Sequence, residues 1–338
     1  MTRNPALDGL RGLAALLIIC THCGVPGTRA GFLGVDIFFV LSGFLITSLL
    51  AVEIDRTGKI DLGRYSLARM LRLYPPLLIF LIAYVLLAGG NTQAFRDAAV
   101  AGLFLSDYLK QPPLIAHTWS LAVEFHYYLI WPLLALLIIR GRSWQTQIAV
   151  LSGLYVAGTA WRLSTMYLSG GWSGYPTFDT RLSGLLLGGL TAILAARYAG
   201  DGRIVKLAPW LGVLLAITIA GTPGSPIAMS VPMIVVELCT AGLILALLGN
   251  RGVVFRALAS KPLVYTGMIS YSLYLWHVLA ALALPAETVW YWKLPAVLVL
   301  TYLIATVSWF AVEAPAMAFR HRLGTRPAAN QAQAMPAP

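Results

Sequence analysis

Charged residues are scarce in this chain, and their scarcity excludes most classes of soluble protein. Only 11% of the 338 residues are charged, whereas 59% are hydrophobic. A soluble globular domain needs more charge than this on its surface. With a mean hydropathy of +0.77, the composition instead predicts a polytopic, all-α membrane protein.

The sequence also lacks any long polar stretch, because no segment of fifty residues is free of a long apolar run. A separate soluble domain is therefore not expected. We predict one transmembrane domain over residues 1–320 and a disordered cytoplasmic tail over residues 321–338, which is rich in Pro, Ala and Gln from Thr325 onward. A cleaved signal peptide is not expected either, since Arg11 interrupts the start and a second apolar run follows directly.

Cysteine is rare, and its few positions argue against a disulfide framework or a metal site. The three cysteines, Cys20, Cys23 and Cys239, all lie in apolar segments. Cys20, His22 and Cys23 are close enough in sequence to suggest a metal-ligand cluster. Burial of the two cysteines among apolar side chains is the better interpretation. We predict no metal cofactor.

Long apolar runs are what the sequence has in abundance. Ten windows have a suitable length to cross a bilayer, at 12–26, 31–51, 74–90, 119–139, 145–161, 181–198, 207–221, 227–248, 264–284 and 295–317. A further apolar segment, Ala98–Leu105, is too short to cross. We interpret it as a partial or re-entrant helix, which is tolerated only where protein buries it.

The distribution of positive charge predicts the orientation of these ten spans. With both termini in the cytoplasm, eighteen of the twenty-four Lys and Arg fall on the inner side. The six on the outer side are Arg29, Arg96, Lys110, Arg162, Arg181 and Lys293. Topology and anionic inner-leaflet lipid thus account for most of the net charge of +11, so nucleic-acid binding is not expected.

Two ionisable residues, Arg11 and His22, flank the apolar part of the first span. An ionisable side chain inside the bilayer costs about 3 kcal/mol or more, so it usually marks a pathway or a reaction centre. Eleven helical steps separate the pair by roughly 16 Å. We therefore expect Arg11 near the inner membrane face and His22 in the outer half.

Two further spans carry polar side chains at helical spacing. Ser120, Glu124, Tyr128 and Trp131 share one face of the fourth span, and Ser270, Tyr274 and His277 share a face of the ninth. Lipid cannot satisfy a carboxylate, an imidazole and hydroxyls together. These faces are therefore predicted to point into the bundle.

Five ordered motifs, spread over about four fifths of the chain, resemble those of the acyltransferase-3 family of integral-membrane O-acyltransferases. They are LDGLRGLAALLIICTH at 7–22, GVDIFFVLSGFLIT at 34–47, ARMLRLYPPL at 68–77, HTWSLAVEFHYYLIWPLL at 117–134 and ISYSLYLWH at 269–277. The resemblance implies about ten transmembrane helices in a bacterial inner membrane. It also implies transfer of acetyl or another short acyl group from coenzyme A to hydroxyls, mostly of exported sugars.

The resemblance can be carried over residue by residue. Arg11 and His22 match the family's Arg-x10-His pair, and Arg69 and Arg72 match its Arg-x-x-Arg. Its other polar or aromatic motif positions match Asp36, Ser42, Trp119 and Glu124. The chain departs from the family at Phe125 and His126, where a second Glu and a Gln are frequent. No counterpart of the soluble hydrolase-like domain of some relatives is present, so the resemblance implies a stand-alone version.

The same residues supply the groups that acyl transfer from a thioester needs. His22 is the preferred general base, and either Glu124 or Asp36 is expected to orient it. Arg69 and Arg72, with Arg11 behind them, suit the phosphates of an acyl-CoA, because a guanidinium binds phosphate bidentately. The predicted partners are acyl-CoA, membrane lipid and a carbohydrate or lipid-linked sugar acceptor.

Seven further residues are predicted to line the substrate site: Ser42, Trp119, Tyr128, Asp179, Arg181, Tyr274 and His277. Several of these residues, and several of the other candidates named above, also have a structural explanation that the sequence leaves open. Arg69 and Arg72 also fit an ordinary positive-inside signal, and Glu124 also fits a hydrogen bond between helices. Asp179 and Arg181 also fit an interfacial ion pair. His117 and His277 also fit structural roles.

Other functional classes remain open at this point. A transporter or lipid-sugar flippase would also line a cavity with Arg, His and Glu, although the chain has no inverted repeat. A polyprenol-sugar glycosyltransferase would need an acidic pair in a large outer loop, and the outer loops here are short. The acyltransferase is therefore the preferred prediction.

Overall fold

Eight helices are long and apolar enough to cross a membrane, and no strand occurs in the residues described. The computed structural model describes residues 3–168, 175–222, 229–285 and 287–324. The predicted all-α polytopic membrane fold is confirmed. The helices are α1 (Pro5–His22), α2 (Gly34–Thr57), α3 (Leu62–Leu87), α4 (Thr92–Gly102), α5 (Trp119–Ile139), α6 (Trp144–Leu168), α7 (Phe178–Tyr198), α8 (Gly202–Gly221), α9 (Ser230–Leu247), α10 (Val253–Leu258), α11 (Lys261–Met268), α12 (Ser270–Leu282), α13 (Trp290–Ser308) and α14 (Ala314–Gly324), with a π-helical turn at Trp309–Glu313.

Two of the ten predicted spans are absent from the eight. The window 145–161 lies in α6, which is long enough to cross but not apolar enough. The window 264–284 is divided into α11 and α12, which are interrupted at Ile269. The count of ten spans and the orientation therefore stay predictions.

The ends of several helices differ from the apolar windows. Helix α1 begins at Pro5, where the Asn4 side chain accepts hydrogen bonds from the backbone N–H groups of Ala6 and Leu7. Arg11 therefore lies on the second turn of α1, and His22 is its last residue. The re-entrant candidate falls partly in α4, which spans only 11 residues.

The last helix extends four residues into the predicted tail, as far as Gly324. Residues 325–338, which make up the rest of that tail, lie outside the described part of the chain.

Helices α2 and α7 pack closely because glycines face backbone where they cross. A Cβ on Gly43 would lie 2.0 Å from the carbonyl oxygen of Leu185, and one on Gly188 would lie 2.2 Å from that of Val40. Small residues allow such close approach between membrane helices. The contact brings the first turn of α2 beside the first turn of α7.

Helix α1 packs against both α11 and α12. Near Arg11, a Cβ on Gly12 would lie 2.5 Å from the carbonyl oxygen of Leu263. At the other end of α1, the ring centroids of His22 and His277 are 4.8 Å apart.

Burial separates the central helices from the peripheral ones. In α2, α7 and α9, 67% of the most apolar window is buried, compared with 17% in α8. The exposed residues of α8 include Trp210, Val213 and Ile217, which suit a lipid-facing surface. The polar residues of the bundle are consequently concentrated around α1, α2, α5, α7 and α12.

Candidate active site

One cavity surrounds Arg11, and we name it the Arg11 cavity. It encloses about 420 Å³ of empty space. Its lining consists of Arg11, Val35, Phe38, Phe39, Ser42, Ser120, Leu121, Glu124, Ser270, Tyr271 and Tyr274. The predicted polar faces of α5 and α12 thus meet here, together with α1 and α2.

Glu124 is the polar centre of this cavity. The Ser42 hydroxyl of α2 donates a hydrogen bond to its Oε1, and the Tyr128 hydroxyl donates another at 2.5 Å. Ser120, one turn before Glu124, hydrogen-bonds the Tyr274 hydroxyl at 2.6 Å. Trp131 Nε1 donates instead to Thr47 Oγ1 at 2.8 Å, outside the cavity lining.

Three arginines converge on the surroundings of Glu124. The guanidinium of Arg11 lies 5.7 Å from the Phe38 ring centroid, within electrostatic range of Glu124 and Arg72. The guanidinium of Arg69 lies 5.8 Å from the Tyr128 ring. None of the three forms an ion pair within 4 Å with a carboxylate of the described residues. Their charge is therefore not neutralised directly by the protein.

A second carboxylate near these arginines, Glu313, was missed by the sequence reasoning. It belongs to the π-helical turn Trp309–Glu313, is 2% exposed and accepts a 2.5 Å hydrogen bond from Ser272. It also lies within electrostatic range of Arg72 and Arg11. The signal that could have revealed it is an acidic residue inside an apolar window, 295–317.

A larger cavity surrounds His22, and we name it the His22 cavity. It encloses about 1150 Å³ of empty space and adjoins a more open mouth of about 800 Å³. The cavity is lined by Ile18, Thr21, His22, Phe32, Val35, Pro113, Ala116, His117, Trp119, Tyr175, Tyr274, Val278, Ala281, Leu282 and Lys293. The mouth shares Thr21, His22 and Lys293 with the cavity and adds Cys23, Gly24 and the segment 288–291.

His22 is oriented by its own helix. Its Nδ1 lies 2.9 Å from the carbonyl oxygen of Ile18, and a carbonyl can only accept, so Nδ1 carries the proton of the neutral ring. The other nitrogen, Nε2, then keeps its lone pair. The side chain is exposed to the cavity and mouth, so an incoming hydroxyl group can reach it.

Two more histidines complete a cluster with His22. His277 lies with its ring centroid 4.8 Å from that of His22 and 5.4 Å from that of His117. His277 Nδ1 donates to the Tyr274 carbonyl at 2.6 Å, and His117 Nε2 donates to the Leu275 carbonyl at 3.1 Å. The remaining ring nitrogen of each is buried and forms no hydrogen bond with the described residues. Neutral imidazoles with unshared lone pairs therefore face one another.

Tyr274 forms the wall between the two cavities. It lines both, as does Val35. Its hydroxyl donates to the His117 carbonyl at 2.8 Å and hydrogen-bonds Ser120. One aromatic side chain therefore separates the arginine-rich side from the histidine-rich side.

The partner of Asp36 is Arg181. Arg181 Nη2 lies 2.6 Å from Asp36 Oδ1, and both side chains are 1% exposed. Among the described residues, neither Asp36 nor Glu124 hydrogen-bonds His22, so the expected orienting contact is not formed in this structure. The backbone carbonyl of Ile18 occupies that role.

The ion pair between Asp179 and Arg181, which the sequence left open as an alternative to substrate binding, is not formed. Asp179 instead accepts hydrogen bonds from Trp161 Nε1 at 2.6 Å and from the Tyr108 hydroxyl at 3.3 Å. Arg181 is enclosed by aromatic rings, with its guanidinium 5.6 Å from the Trp119 centroid and 4.6 Å from that of Tyr175. Arg181 therefore supports the wall of the His22 cavity from behind.

A second buried ion pair lies beside the first. Arg162 binds both carboxylate oxygens of Glu237, at 2.5 and 3.2 Å, and Ser183 Oγ at 2.9 Å. The positive-inside pattern predicts that Arg162 and Arg181 are charges of the outer side. Both are buried helix residues with carboxylate partners, at 0% and 1% exposure.

No solved structure matches the chain significantly. A family model described as an acyltransferase domain matches residues 4–313, which contain every element of both cavities. The chain belongs to the acyltransferase-3 family. Family membership makes it an acyltransferase, and the eight apolar helices make it an integral membrane protein.

Two relatives that are named O-acetyltransferases also match this chain. It is 33% identical over 305 residues to the O-acetyltransferase OatA of Staphylococcus aureus, covering 81% of this chain and 50% of the relative. It is 28% identical over 344 residues to the putative peptidoglycan O-acetyltransferase YrhL of Bacillus subtilis, covering 92% of this chain and 54% of the relative. The chain spans about half the length of these relatives.

Proposed function

We propose that this acyltransferase moves an acetyl group from acetyl-CoA, or another short acyl-CoA, to a hydroxyl of a cell-envelope glycan. The observation that carries the proposal is the position of His22. Its Nε2 lone pair is accessible from one cavity, while Arg11, which forms no ion pair with the described residues, lines the other. Arg72 lies within electrostatic range of Arg11. The names of the matched relatives support an O-acetyl product and a carbohydrate acceptor.

The arginine side is the proposed donor site. Arg11, Arg69 and Arg72 would hold the phosphates of the acyl-CoA, because guanidinium groups bind phosphate oxygens bidentately. Glu124 does not act on His22 in this proposal. It accepts hydrogen bonds from Ser42, in the cavity wall, and from Tyr128, whose ring lies 5.8 Å from the Arg69 guanidinium.

The histidine side is the proposed acceptor site. His22 Nε2 takes the proton from the acceptor hydroxyl while the hydroxyl oxygen attacks the thioester carbonyl. The carbon–sulfur bond breaks, and the coenzyme leaves as a thiolate. The thiolate then takes the proton from the His22 imidazolium, which restores the neutral ring and releases coenzyme A as the thiol.

The two substrates approach from opposite membrane faces in this proposal, in a bacterial plasma membrane. The positive-inside pattern puts the Arg11 side in the cytoplasm, where acyl-CoA is made. The thioester arm would reach past Tyr274 to His22. Membrane lipid surrounds the peripheral helices and is the remaining proposed partner.

Sealed vesicles test this route. Inside-out vesicles given external labelled acetyl-CoA should acetylate a glycan enclosed in the lumen. Right-side-out vesicles given the same external donor should not, because charged coenzyme A cannot cross lipid. Vesicles carrying His22→Ala protein serve as the control for labelling without the enzyme. Equal labelling in both orientations, with intact seals, would place both substrates on one side and contradict the proposal.

A second candidate function is a transporter or flippase for a lipid-linked sugar or an anionic small molecule. The observation that favours it is the pair of cavities on the two sides of Tyr274. Coenzyme A release measured during glycan labelling separates the two functions. An acyltransferase releases one coenzyme A for each acetyl group that reaches the glycan, whereas a flippase moves the sugar without consuming the donor.

A further inference from the structure

Lys293 lies in the first turn of α13, beside the proposed general base. Its side chain is half-buried and lines both the His22 cavity and the mouth. It lies within electrostatic range of His22 and of Cys23. The positive charge of a lysine at this position acts on any acceptor that approaches His22.

The lining of the His22 cavity and its mouth has an unbalanced charge. Among the described residues of these two linings, Lys293 is the one with a permanent charge, and none is Asp or Glu. Within the described part of the chain, Lys293 forms no ion pair. A partly buried cation without a counter-ion is costly, so a bound anion here would be stabilised.

The other bundle cations near the proposed acceptor side are already satisfied. Arg181 is paired with Asp36, and Arg162 with Glu237. These pairs lie behind the cavity wall and present no net charge to it. Lys293 lines the mouth itself, and the exposed rings of Trp290 and Tyr291 lie in the lining beside it.

We propose that Lys293 forms an anion subsite, which selects acceptor glycans carrying a carboxylate or phosphate close to the hydroxyl that His22 activates. This inference rests on the proposed function for its account of the acceptor, but the subsite itself rests on the cavity lining. The anion has two possible sources, a carboxylated sugar residue or the pyrophosphate of a lipid-linked sugar. Both would place a negative charge beside Lys293.

Acceptor kinetics test the subsite in the full-length protein reconstituted in lipid nanodiscs. The three acceptors are a carboxylated glycan fragment, the same fragment with its carboxylate reduced to an alcohol, and a polyprenyl-pyrophosphate-linked sugar. Lys293→Gln removes one charge-assisted contact to the anion. We therefore expect it to raise the KM for the anionic acceptor that the enzyme uses about tenfold. The donor KM should not change. Lys293→Arg should keep most of the preference, since it keeps the charge.

Lys110→Gln is the matched control, because Lys110 is an exposed lysine outside the lining of both spaces. It should leave every KM unchanged. A KM increase in Lys293→Gln for the carboxylated glycan alone identifies the carboxylate as the anion, and an increase for the lipid-linked sugar alone identifies the pyrophosphate. An equal change for the charged and the reduced acceptors, or a raised donor KM, would overturn the subsite.

Wild-type protein provides a test that does not depend on the folding of a variant. It should use the carboxylated or the lipid-linked acceptor with a KM about tenfold below that of the reduced fragment. Equal KM values for all three would overturn the proposal. Direct calorimetric binding of the anionic acceptors without donor separates the subsite from the chemistry. Binding that Lys293→Gln weakens supports the subsite even if no acyl transfer is measured, and unchanged binding contradicts it even if transfer is intact.

Discussion

The two cavities differ in the kind of polar group that they contain. The Arg11 cavity is bordered by permanent charges, with Glu124 hydrogen-bonded to two hydroxyls among the arginines. The His22 cavity is lined by neutral imidazoles that donate to backbone carbonyls, and by one lysine. Fixed positive charge suits the binding of a phosphorylated substrate, whereas an imidazole lone pair suits proton transfer.

The difference also shows how a membrane bundle can keep charge and proton chemistry apart. The Tyr274 hydroxyl bonds to Ser120 and to the His117 carbonyl, so the wall between the cavities is itself fully hydrogen-bonded. This wall separates the arginines from His22, whose ring instead has Lys293 within electrostatic range. Each of the following experiments changes one side of this comparison.

The largest effect is expected from His22→Ala. Loss of a general base should lower acetyl transfer by about 100-fold to 10,000-fold, with near-normal protein levels in the membrane. Transfer to glycan is measured with labelled acetyl-CoA at matched expression. His126→Gln is the control, since His126 bonds Asp107 at 3.1 Å outside both cavities. More than a tenth of wild-type activity in His22→Ala would show that the base is elsewhere.

Asp36→Asn should lower the stability of the fold, rather than remove a group that takes part in the reaction. It leaves the Arg181 guanidinium buried without its counter-ion, which costs about 3–5 kcal/mol for a pair at this depth. We expect a lower Tm in detergent, and partial recovery in the double variant Asp36→Asn/Arg181→Met. The partly exposed Asp179→Asn is the control and should change Tm much less. A normal Tm with abolished turnover would instead show that Asp36 has the catalytic role predicted from the sequence.

Arg69→Ala and Arg72→Ala should affect the donor. Each loses a charge-assisted phosphate contact, so the KM for acetyl-CoA should rise about tenfold, with partial rescue by Lys. Arg64→Ala is the control, because Arg64 is an exposed arginine of the same helix. Inverted or degraded protein with an unchanged donor KM would show that the two arginines only set topology.

The smallest effect is expected from Tyr274→Phe, which keeps the ring in the wall but removes its two hydrogen bonds. Loss of ordinary hydrogen bonds should lower turnover by about two- to tenfold and leave the donor KM unchanged. Hydrolysis of acetyl-CoA in the absence of glycan should rise if the wall also excludes water. A change confined to the donor KM would assign Tyr274 to the donor side alone.

Local patterns in the sequence were sufficient to predict the membrane class and the polar helix faces. Composition decides between lipid and water, and residues four apart on a helix share a face in any fold. The alignment of Ser120 and Glu124 toward one cavity, and the hydrogen bond from Tyr128 to Glu124, followed from that spacing. Arg11 and His22 likewise had to share a helix, because nothing between them interrupts it.

Tertiary structure alone decided which polar groups meet. Sequence proximity pointed to Asp179 as the partner of Arg181, but residues two apart on a helix face different directions. Close packing of α2 on α7 instead brings in Asp36, 145 positions away. The three histidines come from three separate segments in the same way. A buried charge pairs with whichever opposite charge the packing of helices brings within reach. The periodicity of a single helix does not determine which other helix packs against it.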